Sequence, residues 1–190
     1  MLRAVKILTT LVAGIALGLA ATWATVIRGT MGGGVSAGPW RTSLYIGSSE
    51  GGPYLRAQVA VHGLLALSRE ETIYYTAARD SDGNALDGHC VYRIEGRDPP
   101  TRWWSITAYG ADDFLIPNPD DRYGVSMNSV AREADGTFAV TLSKGQAEGD
   151  WIPVSAAPFD VTLRLYNPQA AVVANPAQVA LPVIWRVACK

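Results

Sequence analysis

The chain has 190 residues, 48% hydrophobic and 17% charged, with a formal net charge of −1. That length is enough for one domain with a full core. The near-zero charge, with no Lys/Arg run, argues against nucleic acid, which needs a clustered basic face to displace counterions. It argues equally against a polybasic lipid-binding surface.

Arg3 and Lys6 precede an uncharged run from Ile7 to Ile27, which Arg28 closes. At ~1.5 Å rise per residue the run spans about 31 Å, matching a hydrocarbon core of about 30 Å. The basic excess before the run holds the N-terminus on the cytoplasmic side, and Trp23 suits the outer interface. The competing reading is a cleaved signal peptide, whose apolar region is about 7–15 residues and ends in an Ala-x-Ala-like site. Thr22-Trp-Ala24 is a poor site because Trp23 is bulky, so the expectation is an uncleaved anchor over residues 1–28. Gly14-Ile-Ala-Leu-Gly18 fits a small-xxx-small dimerisation pattern, with a plain small-residue helix as the alternative. Residues 29–38 are rich in glycine and read as a flexible tether, leaving 39–190 as the folded domain.

Trp40 to Ile46 reads as an opening strand. From Pro53 to Leu67, Tyr54, Ala57, Val61, Leu64 and Leu65 fall at helical spacing, and Pro53 suits the first helical position. Period-two alternation dominates thereafter. Ile73, Tyr75 and Ala77 mark one strand, Cys90, Tyr92 and Ile94 another, and Trp104, Ile106 and Ala108 a third. Tyr123, Val125 and Met127 follow, then Phe138, Val140 and Leu142. Phe159, Val161, Leu163 and Leu165 alternate with Asp160, Thr162, Arg164 and Tyr166, one face buried and one wet. Val183, Trp185, Val187 and Cys189 are expected inward on the last strand. Turn signals such as Asp80-Ser-Asp-Gly83 and Asp135-Gly136 separate these runs. The pattern predicts a mainly β fold, an antiparallel jelly-roll-type β-sandwich with one helix, behind a single N-terminal transmembrane helix.

Chemistry-bearing residues concentrate between Arg102 and Tyr123. Trp103 and Tyr109 share a strand face with Ser105 and Thr107, a platform of the kind that packs against sugar rings. The alternative is that a second sheet or the helix covers that face. The loop after it gathers Asp112, Asp113, Asn118, Asp120 and Asp121, stiffened by Pro117 and Pro119. Such oxygen-rich loops hold calcium or sugar hydroxyls, and paired carboxylates serve glycosidases when two flank one bond. Adjacent Asp112 and Asp113 would point apart, and a solvated turn offset by Arg122 is the plainer reading.

The other signals are negative. Asp80 to Asp87 departs from a calcium loop at Ala85 and Val91 and reads as a hairpin turn. His62 and His89 are the only histidines, too few for a cupin-like metal set, so neither metal nor cofactor is expected. No Gly-x-Ser-x-Gly elbow or phosphate-cradling loop occurs, and no catalytic set is assigned. Cys90 and Cys189 can pair in an oxidising compartment or remain as buried thiols.

Several segments carry a resemblance. They are Pro53-Tyr-Leu-Arg-Ala57, Gly63-Leu-Leu-Ala-Leu67, Tyr75-Thr-Ala-Ala-Arg-Asp-Ser-Asp-Gly83 and Leu86-Asp-Gly88. Arg102-Trp-Trp-Ser-Ile-Thr-Ala-Tyr109, Pro117-Asn-Pro119, Arg122-Tyr123, Trp151-Ile-Pro153 and Pro158-Phe-Asp-Val-Thr-Leu-Arg-Leu-Tyr-Asn-Pro168 complete the set, in order. The chain resembles the bacterial DUF1214 family. The resemblance implies a jelly-roll-like β fold that often follows a second β domain, DUF1254. Here a membrane segment stands in that domain's place, and a separate DUF1254-like domain is an expected partner.

No activity comes with the family. The expectation is therefore a single-pass protein of the bacterial inner membrane with its C-terminal domain in the periplasm. It would be a non-catalytic binding module for a glycan or an envelope partner, using Arg102, Trp103, Tyr109, Asp112, Asp113, Asn118, Asp120 and Arg122. A second reading is a hydrolase or isomerase using Asp112, Asp113 or Asp120 with Arg102, Arg122 or His89. A third is an envelope assembly protein dimerising through Gly14 and Gly18.

Overall fold

The computed structural model describes residues 2–28, 34–61 and 66–189. An apolar helix α1 (Leu2–Arg28) leads into β1 (Gly34–Ala37), β2 (Trp40–Ser43) and a short helix α2 (Pro53–Val61). Then come β3 (Thr72–Ala77), β4 (Cys90–Gly96), β5 (Thr101–Gly110), β6 (Gly124–Ser126), β7 (Phe138–Ser143), β8 (Trp151–Pro153) and β9 (Phe159–Pro168). A helical turn α3 (Ala170–Ala174) and a 3-10 turn (Pro176–Gln178) precede β10 (Val183–Cys189). Six strands form one sheet in the order β1-β2-β3-β9-β5-β6, and four form a second in the order β10-β4-β7-β8. Every pairing is antiparallel except β7 with β8. The fold is mainly β with two sheets and one long apolar N-terminal helix, compatible with the jelly-roll expectation.

Alternation builds the core as read. Trp104, Ile106 and Ala108 of β5 are buried beside Phe159, Val161, Leu163 and Leu165 of β9. From the other sheet, Tyr92 and Ile94 of β4 and Phe138, Val140 and Leu142 of β7 meet them. Trp104 stacks on Phe138 with ring centres 4.7 Å apart, and Tyr92 meets Phe159 edge-on at 5.9 Å, so aromatic pairs join the layers. The buried indoles find acceptors: Trp40 donates to the Pro182 carbonyl at 2.6 Å and Trp151 to that of Ser143 at 3.1 Å. Trp104 donates to Asp98 Oδ1 at 2.8 Å, and Arg132 grips the same carboxylate through Nε and Nη2. That guanidinium holds the Asp98 carboxyl below its ordinary range. The Tyr75 hydroxyl donates to the Pro176 carbonyl at 2.9 Å, and burial pushes its pKa up to about 12.

Several expectations change. Residues 34–37, assigned to the tether, form β1 and pair with β2 from Gly34 opposite Ser43 to Ala37 opposite Trp40. The predicted helix is described only over Pro53–Val61, with His62, Leu64 and Leu65 outside the described residues. On that helix Tyr54 and Val61 are exposed and Gln58 is buried, donating to the Thr25 carbonyl of α1 at 2.9 Å. The last strand runs in the opposite phase: Ile184 is buried opposite Ile94, and Trp185 and Val187 are exposed. A bulge between Arg186 and Ala188 then sets Cys189 opposite Cys90, and the two are joined as a disulfide. Cys90 is buried but Cys189 is exposed, so only one of the pair is inward.

The Asp80 turn is a turn. Asp80, almost fully buried, accepts from the backbone N–H of Asp82 and Asn84 and ion-pairs with Arg186 at 3.3 Å. Gly83 takes the left-handed φ of 87° that closes it. At Gly88, any Cβ would overlap the Ser155 carbonyl oxygen, because the two backbones touch where Gly88 N–H donates to Ala157. Gly88→Ala is expected to destabilise the domain by about 1–3 kcal/mol, the usual cost of overpacking, seen as a lower thermal midpoint. An unchanged midpoint would mean that this contact opens without cost.

Candidate functional site

The face of β5 turned away from the core meets the corresponding face of β9. In register, Trp103 lies opposite Tyr166, Ser105 opposite Arg164, Thr107 opposite Thr162 and Tyr109 opposite Asp160. On the far side of β9, Tyr74 of β3 is the partner of Arg164 and Thr76 the partner of Thr162. Trp103, Tyr109, Tyr74, Arg164 and Tyr166 are all half-buried, and the Tyr74 hydroxyl accepts the Leu67 N–H at 3.3 Å, so the described residues cover this face only in part.

Arg164 is its centre. The guanidinium donates to Thr107 Oγ1 at 3.2 Å and to the Tyr109 hydroxyl at 2.6 Å. It also lies 5.4 Å from the Tyr109 ring centre and 5.9 Å from that of Tyr74, within cation–π range of both. No carboxylate among the described residues ion-pairs with it. Trp103 packs on Tyr166 with centres 5.1 Å apart, its indole N–H fixed by Asn128 Oδ1 at 2.9 Å. Asp160 sits on the same side of β9 near Arg164. Burial, then the neighbouring Asp113 charge, raise its pKa to about 7 against the opposing pull of Arg164.

The acidic loop behaves differently. Asp112 Oδ1 accepts the Phe114 N–H at 3.2 Å, and Asp121 accepts the Tyr123 hydroxyl at 3.2 Å. Asn118 is a clamp: Nδ2 donates to the Ile116 and Arg122 carbonyls and Oδ1 accepts the Arg122 N–H. Asp113 and Asp121 occupy positive φ, at 65° and 48°. These side chains shape the turn, as expected where Asn and Asp tolerate the left-handed region. Asp120 and Asn118 line a separate cleft of about 400 Å³ with Lys144, Trp151, Pro153 and Val154. Arg102 is exposed on β5, and His89 pairs with Asp87 at 2.7 Å on the turn before β4. No group of three or more His, Cys, Asp or Glu among the described residues could hold a metal.

Of the sequence-nominated residues, the structure thus groups Trp103 and Tyr109 with Ser105 and Thr107, and brings Asp113 near Asp160. Asp112, Asn118, Asp120, Arg122, Arg102 and His89 serve separate turns and surfaces. Arg164, Tyr166 and Tyr74 were missing from the nominated set. Their signal was present as the polar half of the β3 and β9 alternation.

A mainly β, two-sheet domain with an aromatic outer face is the class defined by this geometry. The family model for a protein of unknown function, DUF1214, matches residues 71–170, and the chain belongs to that family. Among solved structures the VPA0106 protein of Vibrio parahaemolyticus is similar, with 24% identity and a TM-score of 0.61. The match covers 71% of this chain and 35% of that one. A protein from Burkholderia cenocepacia matches at 16% identity and a TM-score of 0.43, over 63% of this chain and 30% of that one. The chain therefore spans about a third of the length of these structures. None of the curated proteins matches it.

Proposed function

We propose that this protein is a membrane-anchored, non-catalytic binding module whose ligand is a glycan held on the outer face of β5 and β9. The observation carrying the reading is the cluster of Trp103, Tyr109, Tyr74 and Tyr166 around Arg164, half-buried on one sheet. Aromatic rings offer the C–H faces of sugars a large contact area at low conformational cost, and the neighbouring hydroxyls offer hydrogen bonds.

Anchoring rests on α1, which is long and apolar enough to cross a membrane by length and composition; a signal sequence would share those properties. The basic flank of Arg3 and Lys6 supports the N-terminus inside and the domain in the periplasm, attached to the inner membrane. The Cys90–Cys189 bond supports the same oxidising side. Asp112, Asp120 and Asp121 serve separate turns and a separate cleft, which speaks against a hydrolase built on those loop carboxylates, whereas Asp113 lies near Asp160.

The test is a glycan-array and calorimetric comparison of the detergent-solubilised full chain with Trp103→Ala and Tyr109→Ala. Each truncation is expected to weaken binding by about 10–100-fold, as for buried aromatic anchors. Binding that survives both truncations unchanged sinks the reading.

A further inference from the structure

We infer that the Arg164 site selects acidic glycans, taking the carboxylate of a uronic acid on its guanidinium while the sugar ring packs on the flanking aromatics. The inference rests on the glycan reading above and adds the ligand's charge. An arginine at a sheet surface ordinarily finds a carboxylate or turns into water. Arg164 makes no ion pair with a carboxylate among the described residues, and the acid near it, Asp160, is a carboxyl whose pKa burial raises to about 7. Two hydroxyls fix its Nη1 and Nη2 edges, and the rings of Tyr74 and Tyr109 flank it, so the cation is held in place on a half-buried face.

Three features make this a receptor for an anion rather than a structural pin. First, no described carboxylate ion-pairs with the guanidinium, although the chain carries 17 Asp and Glu residues. Second, the fork's planar donors match a carboxylate in two parallel bonds, and holding the fork in advance reduces the entropy lost on binding. Third, Ser105, directly across from Arg164 in the ladder, is a small polar residue that brings no charge of its own. Trp103 lies two positions along β5 on the same face, tilted against Tyr166 with ring centres 5.1 Å apart. Carboxylate and ring thus meet different groups of one surface.

The experiment measures binding of trigalacturonic acid, maltotriose and acetate to the full chain in detergent by calorimetry. Trigalacturonic acid is expected to bind, with maltotriose at least tenfold weaker and acetate weaker still. Arg164→Gln is expected to reduce trigalacturonic acid binding by about 10–100-fold, and Arg164→Lys to restore only part of it, because lysine lacks the fork. If Arg164→Gln fails to fold, Ser105→Glu supplies a carboxylate opposite Arg164 and is expected to abolish acid binding while leaving the fold intact. Equal binding of maltotriose and trigalacturonic acid, sensitive to Trp103→Ala but not to Arg164→Gln, overturns the charge selectivity and leaves the glycan reading standing. Acetate binding as tightly as the trisaccharide overturns the sugar component. Failure of both sugars to bind overturns the selectivity and the glycan reading together.

Discussion

Replacing both cysteines, Cys90→Ser with Cys189→Ser, is expected to destabilise the domain by about 4–5 kcal/mol. The two are 99 residues apart in sequence, and a cross-link that closes so long a loop removes much of the unfolded chain's freedom. The native side of the balance makes the effect local as well. Beyond Ile184, β10 exposes Trp185, Arg186, Val187 and Cys189, so little burial holds its end against β4. What remains is the Arg186–Asp80 ion pair and the ladder itself, interrupted by the bulge. Denaturant unfolding should show the full loss, and hydrogen exchange should show β10 opening after Arg186 while β5 and β9 stay protected. An unfolding midpoint that does not move on reduction or on double substitution would show that β10 is held by its ladder alone.

The same strand shows where sequence reading stops. Val183-Ile-Trp-Arg-Val-Ala-Cys189 offers two alternating sets, and hydrophobicity favours the one containing Trp185 and Val187. Ile184 is nevertheless the buried member, because it lies opposite Ile94, and Trp185 faces solvent beside Arg93. An edge strand with a bulge does not have to bury its more apolar face. Longer strands flanked on both sides were legible: Phe159, Val161, Leu163 and Leu165 are buried as their alternation requires. Gly34–Ala37 was unreadable as β1 because its glycine-rich surroundings look like linker, and Trp151–Pro153 is too short to alternate, with all three residues buried.

The candidate site followed the same logic. Alternation alone puts Trp103 and Tyr109 on one face of β5 and Arg164 on the polar face of β9. It does not say that these faces adjoin, since Arg164 and Tyr109 are 55 residues apart and meet only through the β5–β9 ladder. The acidic loop misled for the converse reason. Its residues crowd together in sequence, yet Asp112 and Asn118 satisfy their own turn's backbone and Asp121 a neighbouring hydroxyl, while Asp113 lies near Asp160 and Asp120 lines a separate cleft. Density of charge along the chain is not convergence in space.

Asp160 provides the second large effect, and its sign is opposite to that of most carboxylates. Its pKa in the folded protein is about 7, against an ordinary value of 3.8. Between those values the folded state binds a proton that the unfolded state has released, so stability falls as pH rises from about 4 to 7. At ~1.36 kcal/mol per pH unit the gap sets a ceiling of about 4 kcal/mol; because Asp160 is only half-buried, screening leaves about 1–2 kcal/mol. Asp98 and Asp135 are shifted downward, so their contributions are complete above the ordinary carboxylate range and are lost only in acid. Asp160→Asn, which mimics the protonated acid, is thus expected to unfold at a higher temperature than the parent at pH 8 and at nearly the same temperature at pH 4.

Ligand binding should follow the same group. The charges facing Asp160 are Asp113 from the loop and Arg164 from its own strand, with Tyr109 opposite it on β5. When Asp160 ionises, it offsets the field of Arg164, so trigalacturonic acid should bind more weakly as pH rises through about 7. Asp160→Asn should remove that decline and keep the low-pH affinity throughout. A variant that binds more tightly than the parent by the same factor at every pH would show that Asp160 is ionised across the range and already serves Arg164 as counter-charge. Identical profiles would show that the Asp160 charge does not reach the site.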